Sequence, residues 1–184
     1  MTETSQEMPR LLADSMLGRL ARWLRFLGYD TLYISMLSDH QIAARARAEG
    51  RIVLTRDQEL SRRRGIRCLY VHADTLEEQV REVLAAIGDP PPGVESRCSE
   101  CNSVLTSVAP EQARPHVPAY VLAAHRQFHH CPECDKYFWA GSHWTRIRST
   151  VERVMEHRDG GAARTVPMDG PSGPKPSGKG GSLP

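Results

Sequence analysis

Long apolar runs are missing from this sequence of 184 residues. No segment approaches the roughly 18 uninterrupted apolar residues that cross a bilayer, and the polar start, residues 1–10, lacks the apolar core of a signal peptide. The pattern argues against a membrane-spanning or secreted protein, so we expect a cytoplasmic protein without a membrane partner.

The sequence also contains few cysteines and lysines and carries a small net charge. Four of the five cysteines form two Cys-x-x-Cys pairs, which make a poor disulfide framework in a reducing compartment but offer the paired thiolates that zinc takes. The net charge of +2 does not by itself establish a nucleic-acid partner. Lysine occurs three times against 21 arginines, which either phosphate recognition or genome base composition would produce.

The first half of the sequence alternates between strand and helix patterns over about residues 10–88. Four short apolar or β-branched runs, residues 10–14, 31–34, 51–55 and 66–71, each precede a segment with helical spacing. The second of these helices opens with the capping-box pattern Ser38-x-x-Gln41. Parallel strands need long connections that cover the sheet, so the alternation predicts an α/β fold with a mostly parallel sheet and helices on both faces.

The composition divides the rest of the chain into three parts. Residues 89–95 contain consecutive prolines, which fix the backbone and donate no hydrogen bonds, so we expect a stiff hinge there. Residues 96–150 carry the four paired cysteines. Residues 159–184 consist mainly of Gly, Pro, Ser and Lys and predict a disordered tail.

Acidic residues follow the predicted strands. Asp14, Asp57 and Asp74 each come just after a strand, and Asp39 lies at the start of the second helix. In a parallel sheet these positions share one edge, where ligands bind in α/β folds. Neighbouring carboxylates are stabilised by a hard divalent cation, so Mg²⁺ or Mn²⁺ and phosphodiester hydrolysis match this pattern.

Each aspartate also has a purely structural interpretation. Asp74-x-x-Glu77 is a capping pattern, and Asp39 is an acid in the first turn of a helix, where the helix dipole favours it. Arg19, Arg22 and Arg25 recur three residues apart on the first helix and either meet a polyanion or form a solvated face.

The cysteine pairs predict a structural zinc site. Cys98-x-x-Cys101 and Cys131-x-x-Cys134 supply four thiolates, which close a tetrahedral coordination sphere and leave no open position for catalysis. Aromatic and basic residues follow the second pair, and they either form a base-stacking surface or pack the cysteine-bearing segment against the first domain. They are Lys136, Tyr137, Phe138, Trp139, His143, Trp144, Arg146 and Arg148.

Three stretches of the sequence resemble one family, the C-terminal RNase domain of the mut-seven exonucleases. They are residues 12–30 (LADSMLGRLARWLRFLGYD), residues 52–57 (IVLTRD) and a zinc ribbon ending in Gly-Ser-His-Trp at residues 141–144. The resemblance implies a PIN-like parallel sheet flanked by helices, spanning residues 10–88, followed by a small zinc ribbon at 96–150.

The same resemblance implies a ribonuclease that uses Mg²⁺ or Mn²⁺. By position, Asp14 matches the acid after the first strand, Asp39 the helix acid and Asp57 the acid of the Thr-Arg-Asp motif, while Asp74 fits the fourth catalytic place loosely. We expect RNA as the partner, with the ribosome and tRNA as candidates. The expected RNA contacts are Arg19, Arg22, Arg25, Arg56, His143, Trp144 and Arg146.

Two other functions fit parts of the pattern. A zinc ribbon on a nuclease-like fold also suits a non-catalytic RNA- or ribosome-binding protein. Asp57 after the third strand suits a phosphoacceptor domain of the receiver type, although the sequence lacks that fold's acid pair after strand one and its lysine-bearing fifth strand.

Overall fold

The computed structural model of the protein describes residues 8–139 together with Gly141, Ser149 and Arg153. The predicted tail at residues 159–184 lies outside the described residues, as do most positions of the predicted ribbon beyond residue 139.

The first part of the chain alternates strands and helices as the sequence predicts. Its elements are β1 (Leu11–Ala13), a 3-10 turn (Ser15–Leu17), α1 (Gly18–Phe26), β2 (Thr31–Tyr33), α2 (Asp39–Glu49), β3 (Ile52–Thr55), α3 (Gln58–Ser61), β4 (Arg67–Tyr70) and α4 (Leu76–Ile87). The predicted capping box of α2 is present, because the Ser38 side chain accepts from the Gln41 backbone and Gln41 reaches back to the Ser38 amide.

The four strands form one parallel sheet in the order β2-β1-β3-β4. The central strands are buried on both sides. From β1 and β3, Leu11, Ala13 and Leu54 pack under α1 and α4, while Leu12 and Val53 pack under α2 and α3. Both faces are therefore covered by helices, and the predicted α/β class is confirmed.

One helix begins later than the sequence suggested. We expected Asp74 to start the fourth helix, but Thr75 is the N-cap, since its hydroxyl accepts from the Glu78 backbone amide at 3.3 Å. Threonine and aspartate are both good caps, so the pattern alone did not separate them.

The cysteine-bearing part folds around a second sheet, which is antiparallel and ordered β5-β6-β7. Its elements are β5 (Thr106–Val108), α5 (Pro110–Ala113), α6 (Ala119–Ala124), β6 (Phe128–Cys131) and β7 (Lys136–Trp139). The two short helices, which the sequence analysis did not predict, pack their apolar residues against Phe128 and Trp139.

The linker between the two parts crosses closely over the end of α1. Gly28 has φ +90°, and a Cβ there would lie 2.8 Å from a Val94 methyl carbon. Both the positive φ and the close approach require glycine.

Within the described part of the chain, no helix is both long and apolar enough to cross a membrane.

Candidate active site and metal centre

The carboxyl ends of β1 and β3 lie side by side at the point where the order of the strands along the chain changes direction across the sheet. From β1 the chain crosses to β2 on one side, and then returns past β1 to β3 on the other. Such a switch point opens a crevice at the carboxyl edge, where α/β proteins bind their ligands. Asp14 directly follows β1 at this edge and donates its backbone amide to Leu54 O at 3.0 Å.

The Asp14 carboxylate is buried, with 4% exposure, and is held by three donors. Its Oδ1 accepts from the Met16 amide at 2.9 Å. Its Oδ2 accepts from the Thr55 hydroxyl and from the Arg56 amide, the latter at 3.2 Å. These bonds fix the orientation of the carboxylate at the edge of the sheet.

Thr55 links Asp14 to Asp57. Its hydroxyl donates to Asp14 and accepts from the Asp57 backbone amide at 2.9 Å. Asp57 itself is exposed and caps α3, with its Oδ1 accepting from the Glu59 and Leu60 amides at 2.6 and 3.1 Å. The two aspartates therefore lie at the same edge of the sheet, joined through the Thr55 hydroxyl and the Asp57 backbone amide. The Asp57 carboxylate also has a structural role as a helix cap.

The other two acidic residues are placed differently. Asp74 is 85% exposed and forms an ion pair with Arg56, with 2.5 Å between Oδ1 and Nη2. Asp39 is exposed in the first turn of α2, at the same edge, after the outer strand β2.

The acidic residues do not lie close enough together to form a complete set of metal ligands within the described part of the chain. Within the residues that the structure describes, the one group of three or more His, Cys, Asp or Glu side chains placed to share a metal ion consists of cysteines. Mg²⁺ commonly binds through one or two carboxylates plus substrate phosphates rather than through an all-protein cage. Asp14 and Asp57 would offer two such carboxylates at one edge of the sheet.

The α1 arginines separate into two groups. Arg19 and Arg22 are exposed, as an RNA-contacting face requires. Arg25 is buried, with 4% exposure, and burial lowers the pKa of its guanidinium. The prediction that Arg25 contacts RNA is therefore wrong, because this side chain is buried.

Arg25 instead fastens the first Cys-x-x-Cys turn to the parallel sheet. Its Nη1 donates to Ser99 O at 2.8 Å and to Glu100 O at 3.2 Å, and its Nε donates to Thr31 O at 2.8 Å. The burial of Arg25 could have been predicted from its position four residues after Ala21, because that spacing puts Arg25 at the border of the buried face of α1.

Asn102 makes the second connection between the two parts. Its Oδ1 accepts from the Thr31 amide at 3.0 Å, and its Nδ2 donates to Asp30 Oδ1 at 2.6 Å. Arg51 also binds Asp30, at 2.7 Å. These contacts lie where β2 begins, so the first cysteine turn is docked at the amino edge of the sheet, opposite the acidic crevice.

The four paired cysteines meet in one cluster. The sulfur atoms of Cys98, Cys101, Cys131 and Cys134 lie within 4.8 Å of one another. Cys98 and Cys131 are fully buried against Leu105 and Phe138. Four converging sulfurs match the donor set of a structural zinc ion, so this cluster is consistent with a zinc site.

The thiols of the cluster differ in acidity. Burial raises the pKa of Cys98 to about 11. Burial also acts to raise the pKa of Cys101, but hydrogen bonds with Ser103 and neighbouring sulfurs lower it to about 6. The hydrogen bond with Cys101 raises the pKa of Cys134. Zinc binds thiolates, so metal binding has to displace protons and weakens on acidification.

The ribbon aromatics pack within the ribbon. Phe138 is fully buried beside the cysteines, which excludes it from stacking on a base. Trp139 packs against the apolar residues of the α5–α6 region. Tyr137 is half-buried and stacks on His116 with 4.3 Å between ring centroids. The expected RNA contacts His143, Trp144 and Arg146 lie outside the described residues, as does Arg148.

Comparisons with known proteins identify similar sequences. The family model described as Mut7-C RNAse domain matches residues 9–151. A human relative, the exonuclease mut-7 homolog, is 38% identical over 101 residues, which are 50% of this chain and 12% of the relative. The chain therefore corresponds to a small part of that relative. No solved structure matches the chain.

Proposed function

This chain belongs to the Mut7-C RNAse domain family, and from that premise we propose that it is a ribonuclease that hydrolyses RNA phosphodiester bonds with Mg²⁺ or Mn²⁺. The observation that carries the proposal is the link between Asp14 and Asp57 through Thr55, at the switch point of the parallel sheet.

The residues that would hold the catalytic ion are Asp14 and Asp57, with Asp39 as a further ligand from α2. A bound divalent cation supplies Lewis-acid stabilisation of the phosphoryl oxygens and a water of lowered pKa. Hydrolysis adds water across the P–O bond, so the water oxygen bonds to phosphorus and the leaving oxygen takes a proton. The three donors to Asp14 keep its carboxylate oriented without reorganisation during the reaction.

RNA would be held by arginines near the same edge. Arg19 and Arg22 are exposed on α1, which begins beside Asp14, and the Arg56 amide contacts that carboxylate directly. Guanidinium groups bind phosphates through planar, paired hydrogen bonds. The zinc ribbon would add contacts through His143, Trp144 and Arg146, and its structural zinc would be held by the four clustered cysteines.

The test is cleavage of a labelled single-stranded RNA by the full chain with Mn²⁺, compared with omission of Mn²⁺. Omission is preferable to a chelator, which also competes for zinc. Asp57→Asn is the informative variant because Asn is an equally good N-cap, so α3 is retained. We expect Asp57→Asn to lower the cleavage rate by about a hundredfold or more.

Glu59→Gln is the matched control, since it removes an exposed carboxylate two residues away and should stay within about twofold of wild type. A folded, zinc-containing wild type that binds RNA yet does not cleave it with Mn²⁺ would support the non-catalytic RNA-binding function instead.

A further inference from the structure

Asp74 does not cap α4, although its sequence pattern suggested that role. The N-cap of α4 is Thr75, whose hydroxyl accepts from the Glu78 amide and donates to Glu78 Oε2 at 2.7 Å. The capping function is therefore already filled by the neighbouring residue.

Asp74 contacts Arg56 instead. Arg56 donates its backbone amide to Asp14 Oδ2 at 3.2 Å and its Nη2 to Asp74 Oδ1 at 2.5 Å. The backbone of Arg56 is thus fixed beside Asp14, and the tip of its side chain is fixed by Asp74. A free arginine side chain samples many rotamers, so this tether lowers the conformational entropy that Arg56 loses when it binds an anion.

The tethered guanidinium retains most of its binding capacity. It has five N–H donors, and the bond to Asp74 uses one of them. Its side chain is 30% exposed, so part of the guanidinium faces solvent, where it can meet a ligand. The exposed Asp74 carboxylate is occupied by its ion pair with this guanidinium, whereas Asp14 and Asp57 form no ion pair with a basic side chain among the described residues.

We propose that Asp74 is a positioning residue that holds the Arg56 guanidinium in place at the carboxyl edge of the sheet, where it takes a phosphate of RNA, and that Asp74 is not a ligand of the catalytic ion. This inference rests on the ribonuclease function proposed above. It assigns the fourth acidic position to binding of the RNA backbone rather than to metal binding.

The first arm of the test measures the affinity of the full chain for a labelled single-stranded RNA by fluorescence anisotropy, without Mg²⁺ or Mn²⁺. The variants are Asp74→Asn, Arg56→Ala, their combination and Glu59→Gln, which removes an equal charge at the same edge. Relative to Glu59→Gln, we expect Asp74→Asn to weaken binding by up to about fivefold, the limit for an exposed ion pair. Arg56→Ala should weaken it about tenfold and make the salt dependence shallower by about 0.7 in the log–log slope.

The double variant, Asp74→Asn with Arg56→Ala, shows whether Asp74 affects RNA binding only through Arg56 or also independently of it. If Asp74 acts through Arg56, adding Asp74→Asn to Arg56→Ala changes nothing further. A further loss in that background would overturn the proposal, as would Asp74→Asn binding RNA as tightly as Glu59→Gln or more tightly.

The second arm measures Mn²⁺ binding by titration, read from the signal of free Mn²⁺. Asp74→Asn should leave the Mn²⁺ affinity unchanged within about twofold, whereas Asp57→Asn should weaken it by about tenfold or more. A comparable weakening by Asp74→Asn would make it a metal ligand and contradict the proposal. Neither arm measures cleavage. The RNA-binding and Mn²⁺-binding results would therefore decide the role of Asp74 even if the protein had no nuclease activity.

Discussion

At the scale of single residues, the Thr55 hydroxyl connects the two best-placed acidic positions. It is fully buried and has two partners, the Asp14 carboxylate and the Asp57 amide. A buried group of this kind is costly to remove, because the groups that it serves are left without a partner.

Thr55→Val should therefore destabilise the protein and impair the crevice, although valine has nearly the same shape. We expect a loss of about 1–3 kcal/mol in the free energy of unfolding, measured by urea titration, and at least about a tenfold lower cleavage rate. Thr55→Ser keeps the hydroxyl and should retain most of the activity. Equal stability and activity of the valine and serine variants would show that the hydroxyl has no such role.

At the scale of secondary-structure elements, most of the first domain was predictable. The periodicity of α1 and the β-branched runs gave the strand and helix order, and the capping box placed the start of α2. Strand order was not readable, since it depends on which strands pair across the sheet. The α5 and α6 helices were missed because they are only four and six residues long.

The candidate site was only partly predictable for a related reason. Sequence position showed that Asp14 and Asp57 follow strands, but hydrogen bonds between side chains on different strands are set by tertiary structure. The Thr55 bridge and the Arg56–Asp74 pair belong to that class. The inward direction of Arg25 was missed because regular spacing with Arg19 and Arg22 suggested a shared surface.

Arg25 gives a prediction about the contact between α1 and the first cysteine turn. Arg25→Met should lower the free energy of unfolding by at least about 2 kcal/mol, because the carbonyl groups of Thr31, Ser99 and Glu100 lose a charged donor. Arg22→Met is the control, since Arg22 is exposed and its replacement should cost less than about 0.5 kcal/mol. Urea titration of zinc-saturated proteins would measure both, and equal values would argue against the docking role.

At the scale of the whole molecule, Asp30 connects several distant segments. It accepts from Arg51 and from Asn102, and so joins the start of β2 to the residues before β3 and to the first cysteine turn. Burial acts to raise the pKa of Asp30, but the hydrogen bonds from Arg51 and Asn102 outweigh it and lower that pKa. The hydrogen bond from Arg51 likewise lowers the pKa of Glu49.

Stability should therefore depend on pH in the acid range. Both carboxyl groups have a lower pKa in the folded than in the unfolded state, so their contribution is complete above the unfolded values of about 3.9 and 4.3 and is lost as the pH falls through the folded values. Asp30→Asn should lower stability at pH 7 and make its decline below about pH 4 shallower. Urea titrations across this pH range would measure both effects.

Glu95→Gln, at an exposed position of the linker before the first cysteine turn, is the control and should decline in parallel with wild type. A decline in Asp30→Asn as steep as that of wild type would exclude Asp30 as a source of the acid sensitivity.

The docking of the first cysteine turn also bears on self-association. The sheet ends at β2, and edge strands expose backbone groups that can pair with another chain. Asn102 occupies the first of these groups, the Thr31 amide, and it does so from the turn that begins with Cys98 and Cys101. The cysteine turn at the amino edge therefore also covers the first free amide of the outer strand, and we expect loss of the fold around the cysteines to promote self-association before the parallel sheet unfolds.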